Sequence, residues 1–190
     1  EAHIYGTLAM NNAQGDIFCV GDMFWAAGSE ANITANARIR VYGDWNFESG
    51  ANVQFDDGIV WFLGNTNQYI RSYDADCSFN DIRSDKFNGA YIGFSALSYE
   101  DLIINGDLIL YSGSEFNSYS SHDIVLYGSL DNNGGHLMCN AGTFEFAGNP
   151  TDYLRPNVGD YFNNLVINVA ADLDILNTYS DSLVINGNLN

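Results

Sequence analysis

Apolar residues run along this chain in short groups separated by Gly, Asn, Asp and Ser, with few stretches rich in Glu, Lys or Leu. Ile39 to Val41, Ile59 to Phe62, Leu102 to Ile104, Ile124 to Leu126, Phe144 to Phe146 and Leu183 to Ile185 have the length and the Val, Ile and Phe content of β-strands. The punctuation is too frequent for helices. Two-residue hairpin turns between the runs are not evident, which weighs against an antiparallel meander.

The runs repeat. A phrase of the form apolar, polar or Tyr, Gly, polar, apolar occurs as Ile4-Tyr5-Gly6-Thr7-Leu8, Val41-Tyr42-Gly43-Asp44-Trp45, Ile104-Asn105-Gly106-Asp107-Leu108, Leu126-Tyr127-Gly128-Ser129-Leu130 and Ile185-Asn186-Gly187-Asn188-Leu189. Cys19-Val20-Gly21-Asp22-Met23 is a looser copy. Consecutive glycines of the phrase lie 15 to 22 residues apart, about one circuit of a β-solenoid. At longer range Val41 to Ile82 can be laid over Leu126 to Leu165. Gly43 then meets Gly128, Val60 and Phe62 meet Phe144 and Phe146, Tyr69-Ile70-Arg71 meets Tyr153-Leu154-Arg155, and Phe79 meets Phe162.

The pattern predicts an all-β chain, a parallel β-helix (β-solenoid) of roughly nine rungs. It forms one domain over residues 1–190, with internal repeats over approximately 41–125 and 126–190. A β-propeller is the rival architecture, but its blades run about 40 to 45 residues and carry no sub-period of half that length.

Composition narrows the partners. The chain has 190 residues, enough for one core, and carries 24 Asp and Glu against 6 Lys and Arg, for a net charge of −18. Nucleic acid requires a basic footprint and is not expected as a partner. An anionic membrane surface would repel the chain, and no apolar run is long enough to insert. With 12 Tyr, 12 Phe and 3 Trp the chain is expected to fold despite its acidity. Cys19, Cys77 and Cys139 are odd in number and widely spaced among apolar neighbours. They read as buried thiols, with a disulfide pair plus one thiol left open. Asn32-Ile33-Thr34 is the one glycosylation sequon.

Leu183-Val184-Ile185-Asn186-Gly187-Asn188-Leu189, Gly142-Thr143-Phe144-Glu145-Phe146-Ala147-Gly148-Asn149 and Phe162-Asn163-Asn164-Leu165-Val166-Ile167 resemble the β-helical repeat regions of large secreted bacterial surface proteins. The resemblance covers most of the chain and implies a pectin-lyase-like, right-handed parallel β-helix. It also implies an adhesin, fibre, sheath or stalk component outside the cell. Relatives of that fold that degrade polysaccharides supply the alternative, a carbohydrate-active or carbohydrate-binding protein.

Carboxylates, histidines and tyrosines carry the candidate chemistry. Asp56-Asp57 is the best local carboxylate pair, although Asp is common in turns anyway. Asp74, Asp76, Asp81 and Asp85 form an acidic cluster around Cys77 and Phe79 that could offer oxygens to calcium, without EF-hand or RTX spacing. A solvated acidic face is the plainer interpretation, and metal binding is left open. His3, His122 and His136 are far apart, with no HExxH-type pairing. No catalytic set and no cofactor site is expected. Tyr69, Tyr73, Tyr91, Tyr99, Tyr119 and Tyr127 are candidates for stacking on sugar rings. Tyr5, Tyr42 and Tyr127 share one place in the repeated phrase, so an outward tyrosine stripe is expected there.

The final phrase, Leu183 to Asn190, stops partway through the repeated unit, and His3-Ile4-Tyr5-Gly6 matches its continuation. Either a longer solenoid or homotypic head-to-tail stacking would join such ends, with carboxylates on the flanks discouraging lateral clumping. A noncatalytic structural or adhesive role, secreted or at the cell surface, is the functional expectation.

Overall fold

The computed structural model describes residues 1–12, 14–34, 36–73, 77–149, 151–169, 174–175 and 183–190. Within them the chain forms 24 strands of two to six residues, and the strand ladders are all parallel. Paired residues lie 20 to 26 positions apart, as in Ile124 over Phe144 and Ile82 over Leu108, so each strand stacks on the strand one turn away. The result is a β-solenoid of about eight turns.

Each turn has three faces. The first face is a nine-stranded sheet from Ala2–Ile4 to Val184–Ile185, and the third is an eight-stranded sheet from Asp16–Cys19 to Asp174–Ile175. The second face consists of the pair Thr7–Met10 and Glu30–Ile33 and a five-stranded sheet from Ser78–Phe79 to Asn164–Ile167. Gln54, bridged to Ser78, occupies the turn between these two pieces.

Strand alternation sends every second side chain inward, and the stacking places like on like. On the third face one inward column reads Ile17, Ile39, Val60, Ile82, Leu108, Leu130, Leu154 and Ile175. Between the second and fourth turns the interior is aromatic. Trp25, Trp45, Phe47, Phe55 and Phe79 pack with ring centroids 5.1 to 6.2 Å apart. Each such side chain contributes roughly 1.5–3 kcal/mol by leaving water.

The interior also holds a polar seam beneath the corner that joins the third face to the first. Lys86 is fully buried, and its Nζ donates to the carbonyls of Thr66 (2.6 Å) and Leu63 (3.3 Å) and to Gln68 Oε1. Gln68, also buried, donates its amide to the carbonyls of Val41 (3.1 Å) and Gly43. Burial pushes the Lys86 ammonium down to about 8, against the upward pull of the Asp44 carboxylate. In the next turn Ser114 Oγ accepts the Lys86 backbone N–H and donates to the Ser84 carbonyl, both at 2.8 Å. Further along, Asp160 accepts Asn132 Nδ2 (2.6 Å) and the Leu137 N–H (2.8 Å).

The repeated phrase proves to be a corner rather than a turn marker. Gly6 and Gly187 lie where the first face meets the second, Gly106 and Gly128 where the second meets the third, and Gly21 and Gly43 where the third meets the first. Only glycines of one corner are a turn apart. The longer correspondence shifts by one face throughout. Val60 and Phe62 are on the third face and Phe144 and Phe146 on the second; Tyr69–Arg71 is on the first and Tyr153–Arg155 on the third. The offset between the two segments is therefore three and two-thirds turns.

The corner copies differ in crowding. A Cβ on Gly128 would lie 2.3 Å from the Gly106 carbonyl oxygen, whereas one on Gly6 would meet nothing within 4 Å. Gly128→Ala is expected to lower unfolding stability by about 1–3 kcal/mol through overpacking of the corner backbones, with Gly6→Ala close to neutral. Urea denaturation followed by circular dichroism measures both.

Candidate functional site

At the corners the backbones of successive turns diverge, and a side chain fills the gap. Asp22 Oδ1 accepts the Asp44 N–H (2.8 Å), and Asp44 Oδ1 accepts that of Tyr69 (2.9 Å). At the next corner in the turn Asp101 serves Asp123 and Asp123 serves Thr143, both at 2.8 Å. At the remaining corner Asp81 serves Asp107 (3.0 Å), Asp107 serves Ser129 (2.8 Å) and Ser129 Oγ serves Tyr153 (3.3 Å). Asn164 does the same for Asn188 (3.0 Å). Each bond joins one turn to the next, so these acidic residues act as structural acceptors.

Stacked carboxylates repel one another. Burial raises the Asp81 carboxyl above its ordinary range, opposed by the Asp107 N–H and reinforced by the Asp107 charge. Burial raises Asp160 as well, against its three hydrogen bonds.

The carboxylates singled out in the sequence are dispersed. Asp74 and Asp76 lie outside the described residues. Asp81 belongs to the corner ladder, and Asp85 is on the outer side of the same strand, beyond Arg83. Asp57 lies at the corner beside them and contributes to the raised Asp81. Asp56 lines a shallow pocket on the second face together with Thr7, Glu30, Asn32 and Gln54. Thr7 Oγ1 donates to Glu30 there at 3.3 Å. The pocket thus gathers two carboxylates, two amides and a hydroxyl, groups suited to hydrogen-bonding a sugar, and it includes the sequon residue Asn32.

The histidines stay apart. His3 stacks on Phe24 with centroids 4.6 Å apart, His122 Nδ1 is 3.8 Å from Asp101, and His136 is exposed on the first face. Among the described residues no three His, Cys, Asp or Glu side chains converge as a metal site. Cys19, Cys77 and Cys139 are buried. The thiols of Cys19 and Cys77 donate to the Gly21 (3.1 Å) and Ala51 (3.4 Å) carbonyls, and burial pushes the Cys139 thiol far up.

The tyrosines divide. Tyr5, Tyr42 and Tyr127 are exposed but stand at three different corners, so the shared place in the phrase does not form one stripe. A tyrosine row exists on the first face instead. Tyr69, Tyr91 and Tyr119 have successive centroids 5.8 Å apart, and the Tyr69 and Tyr91 hydroxyls are 2.6 Å apart. That hydrogen bond is the main reason the Tyr69 phenol is raised. Tyr73 packs against Tyr99 at 5.4 Å.

A basic column on the third face is not announced by the repeated phrases. Four of the six basic residues, Arg38, Arg40, Arg83 and Arg155, face outward on the third face. The central outward column there reads Phe18, Arg40, Trp61, Arg83, Ile109, Asp131 and Arg155. Arg40 lies over the rings of Phe18 (4.8 Å) and Trp61 (5.3 Å) and pairs with Asp16 at 3.0 Å; Arg155 pairs with Asp131 at 2.8 Å. The alternation in Arg38-Ile39-Arg40, Asp81-Ile82-Arg83 and Tyr153-Leu154-Arg155 was its visible signal.

Comparison of the chain with protein-family models, curated proteins and solved structures finds no match.

A raised folded-state pKa means that the native state holds its proton more tightly than the unfolded chain. The stability contributed is present below the unfolded carboxylate value, about 4, and is lost as pH rises through the folded value. The melting temperature is therefore expected to rise on acidification from neutral toward pH 5. Asp81→Asn, which keeps an acceptor for the Asp107 N–H and removes the buried charge, should raise the neutral-pH melting temperature and shrink that difference. An unchanged pH profile in the variant would show that Asp81 does not contribute.

Proposed function

We propose that this chain is a noncatalytic structural or adhesive section of an extracellular solenoid, of the stalk or filament type carried by large secreted bacterial surface proteins. The supporting observation is the corner ladder: aspartates at all three corners are engaged in hydrogen bonds that tie one turn to the next. A chain organised in this way is a stiff spacer whose outermost strands offer parallel edges, onto which further turns of a longer chain or another copy can stack. The carbohydrate reading is the alternative and draws on the second-face pocket formed by Thr7, Glu30, Asn32, Gln54 and Asp56.

Electron microscopy of the native material tests the main reading, with unbranched rods as the expected result. Isolated globular particles, or release of reducing ends from a polysaccharide panel that disappears in Asp56→Asn, would overturn it in favour of the alternative.

A further inference from the structure

The third face differs in charge from the rest of the molecule. Over its first seven turns the outward arginines 38, 40, 83 and 155 nearly balance Asp16, Asp81, Asp85, Asp107 and Asp131, so almost all of the net charge of −18 arises elsewhere. Its outward residues also include Phe18, which is 57% exposed, and the half-buried Trp61, Leu63, Ile109, Tyr111 and Tyr153. Arg, Trp and Tyr on a nearly neutral sheet form the composition of a protein interface.

The order of these residues along the axis is self-complementary. The ion pair at one end has Asp16 in the first turn and Arg40 in the second; the pair at the other end has Asp131 in the sixth and Arg155 in the seventh. The sense is reversed, with the acid outermost at one end and the base outermost at the other. Apolar residues occupy the two turns either side of the middle, Trp61 and Leu63 in the third, Ile109 and Tyr111 in the fifth.

We propose that this face pairs two copies of the chain side by side and antiparallel, about a two-fold axis parallel to the strands through the turn that carries Arg83. Such an axis keeps each residue's place along its strand and exchanges the first turn with the seventh, the second with the sixth and the third with the fifth. Arg40 of each copy then stands opposite Asp131 of the other. Arg155 covers Phe18 within reach of Asp16, Trp61 meets Ile109, and Leu63 meets Tyr111. Each intramolecular Arg–Asp pair docks on an oppositely directed one, a square of alternating charges. On the axis Arg83 meets Arg83 of the other copy, flanked on each strand by Asp81 and Asp85, whereas a parallel pairing would also set like against like at Arg40, Asp131 and Arg155.

Area and charge set the strength. Seven turns spaced about 4.8 Å, with strands of three to six residues rising about 3.3 Å each, give a face of roughly 30 by 15 Å. The dimer thus buries about 1,000 Å² in total, the lower bound for a specific interface. It is a weak, concentration-dependent dimer, strengthened by moderate salt that screens the repulsion between two acidic bodies. This lateral contact is independent of axial stacking and goes beyond the structural role proposed above.

Sedimentation of the purified chain over a concentration series in moderate salt tests the pairing. The wild type is expected to show a monomer–dimer equilibrium. Trp61 emission should shift to the blue with it, since Trp25 and Trp45 are already fully buried. Arg40→Asp and Asp131→Arg each place like charges opposite one another at two symmetric contacts, and each alone should weaken the dimer about a hundredfold or more. Mixed in equal amounts they restore attraction at both contacts, so the mixture should dimerise. Circular dichroism establishes that each variant is folded. A wild type that stays monomeric to high concentration, variants that dimerise as the wild type does, or folded variants whose mixture stays monomeric would each overturn the proposal.

Discussion

Parallel stacking in register governs this molecule. Each residue lies about 4.8 Å from its counterpart one turn away, so whatever a position holds must tolerate its own kind above and below. Aliphatic side chains satisfy that condition without adjustment, and the column from Ile17 to Ile175 is the result. Charged side chains do not. On the third face the outward column alternates Phe18, Arg40, Trp61 and Arg83, so the Arg40 guanidinium lies between two rings rather than against another guanidinium. At the corners like charges are stacked, and each carboxylate is compensated by a backbone N–H from the next turn. The compensation is incomplete where burial is deepest, as the raised Asp81 shows.

The same constraint changes what the acidity of the chain means. Twenty-four acidic residues suggest cation binding or a repulsive coat when considered one at a time. Their placement gives many of them a mechanical task, because an Asp at a corner is a short side chain that accepts an N–H the sheets cannot reach. The buried Lys86 has an analogous task. Its Nζ gathers the carbonyls of Leu63 and Thr66 at a corner where the third-face strand is longest, and Gln68 extends the seam to Val41 and Gly43 one turn away. A buried cation of this kind is costly to desolvate, so its acceptors must all be in place together.

Fold class was legible because stacking writes itself into the chain as repetition: six glycine phrases and short apolar runs are enough to require parallel coils. Which face each run occupies was not legible. The phrase is used at all three corners, so Gly43 and Gly128 match as sequences while turning the chain between different faces. Tyr5, Tyr42 and Tyr127 share a place in the phrase for the same reason, without sharing a face. Asp56 was recognised, but its pocket partners Thr7 and Glu30 come from earlier turns, and nothing local announces such an encounter. The arginine column is not apparent in the sequence, because its members are a turn or more apart and each looks ordinary in isolation.

Interchangeable corners make the chain a material that can be cut and rejoined. Removing 22 residues, Asp107 through Gly128, would bring like corners together and shorten the rod by a single layer, leaving every remaining side chain facing its original direction. A splice at the sequence-matched pair Gly43 and Gly128 would also close cleanly, but everything beyond the junction would be rotated by a third of a circle about the rod. Length can thus be varied along this fold independently of bearing, provided the cuts are spaced by complete circuits.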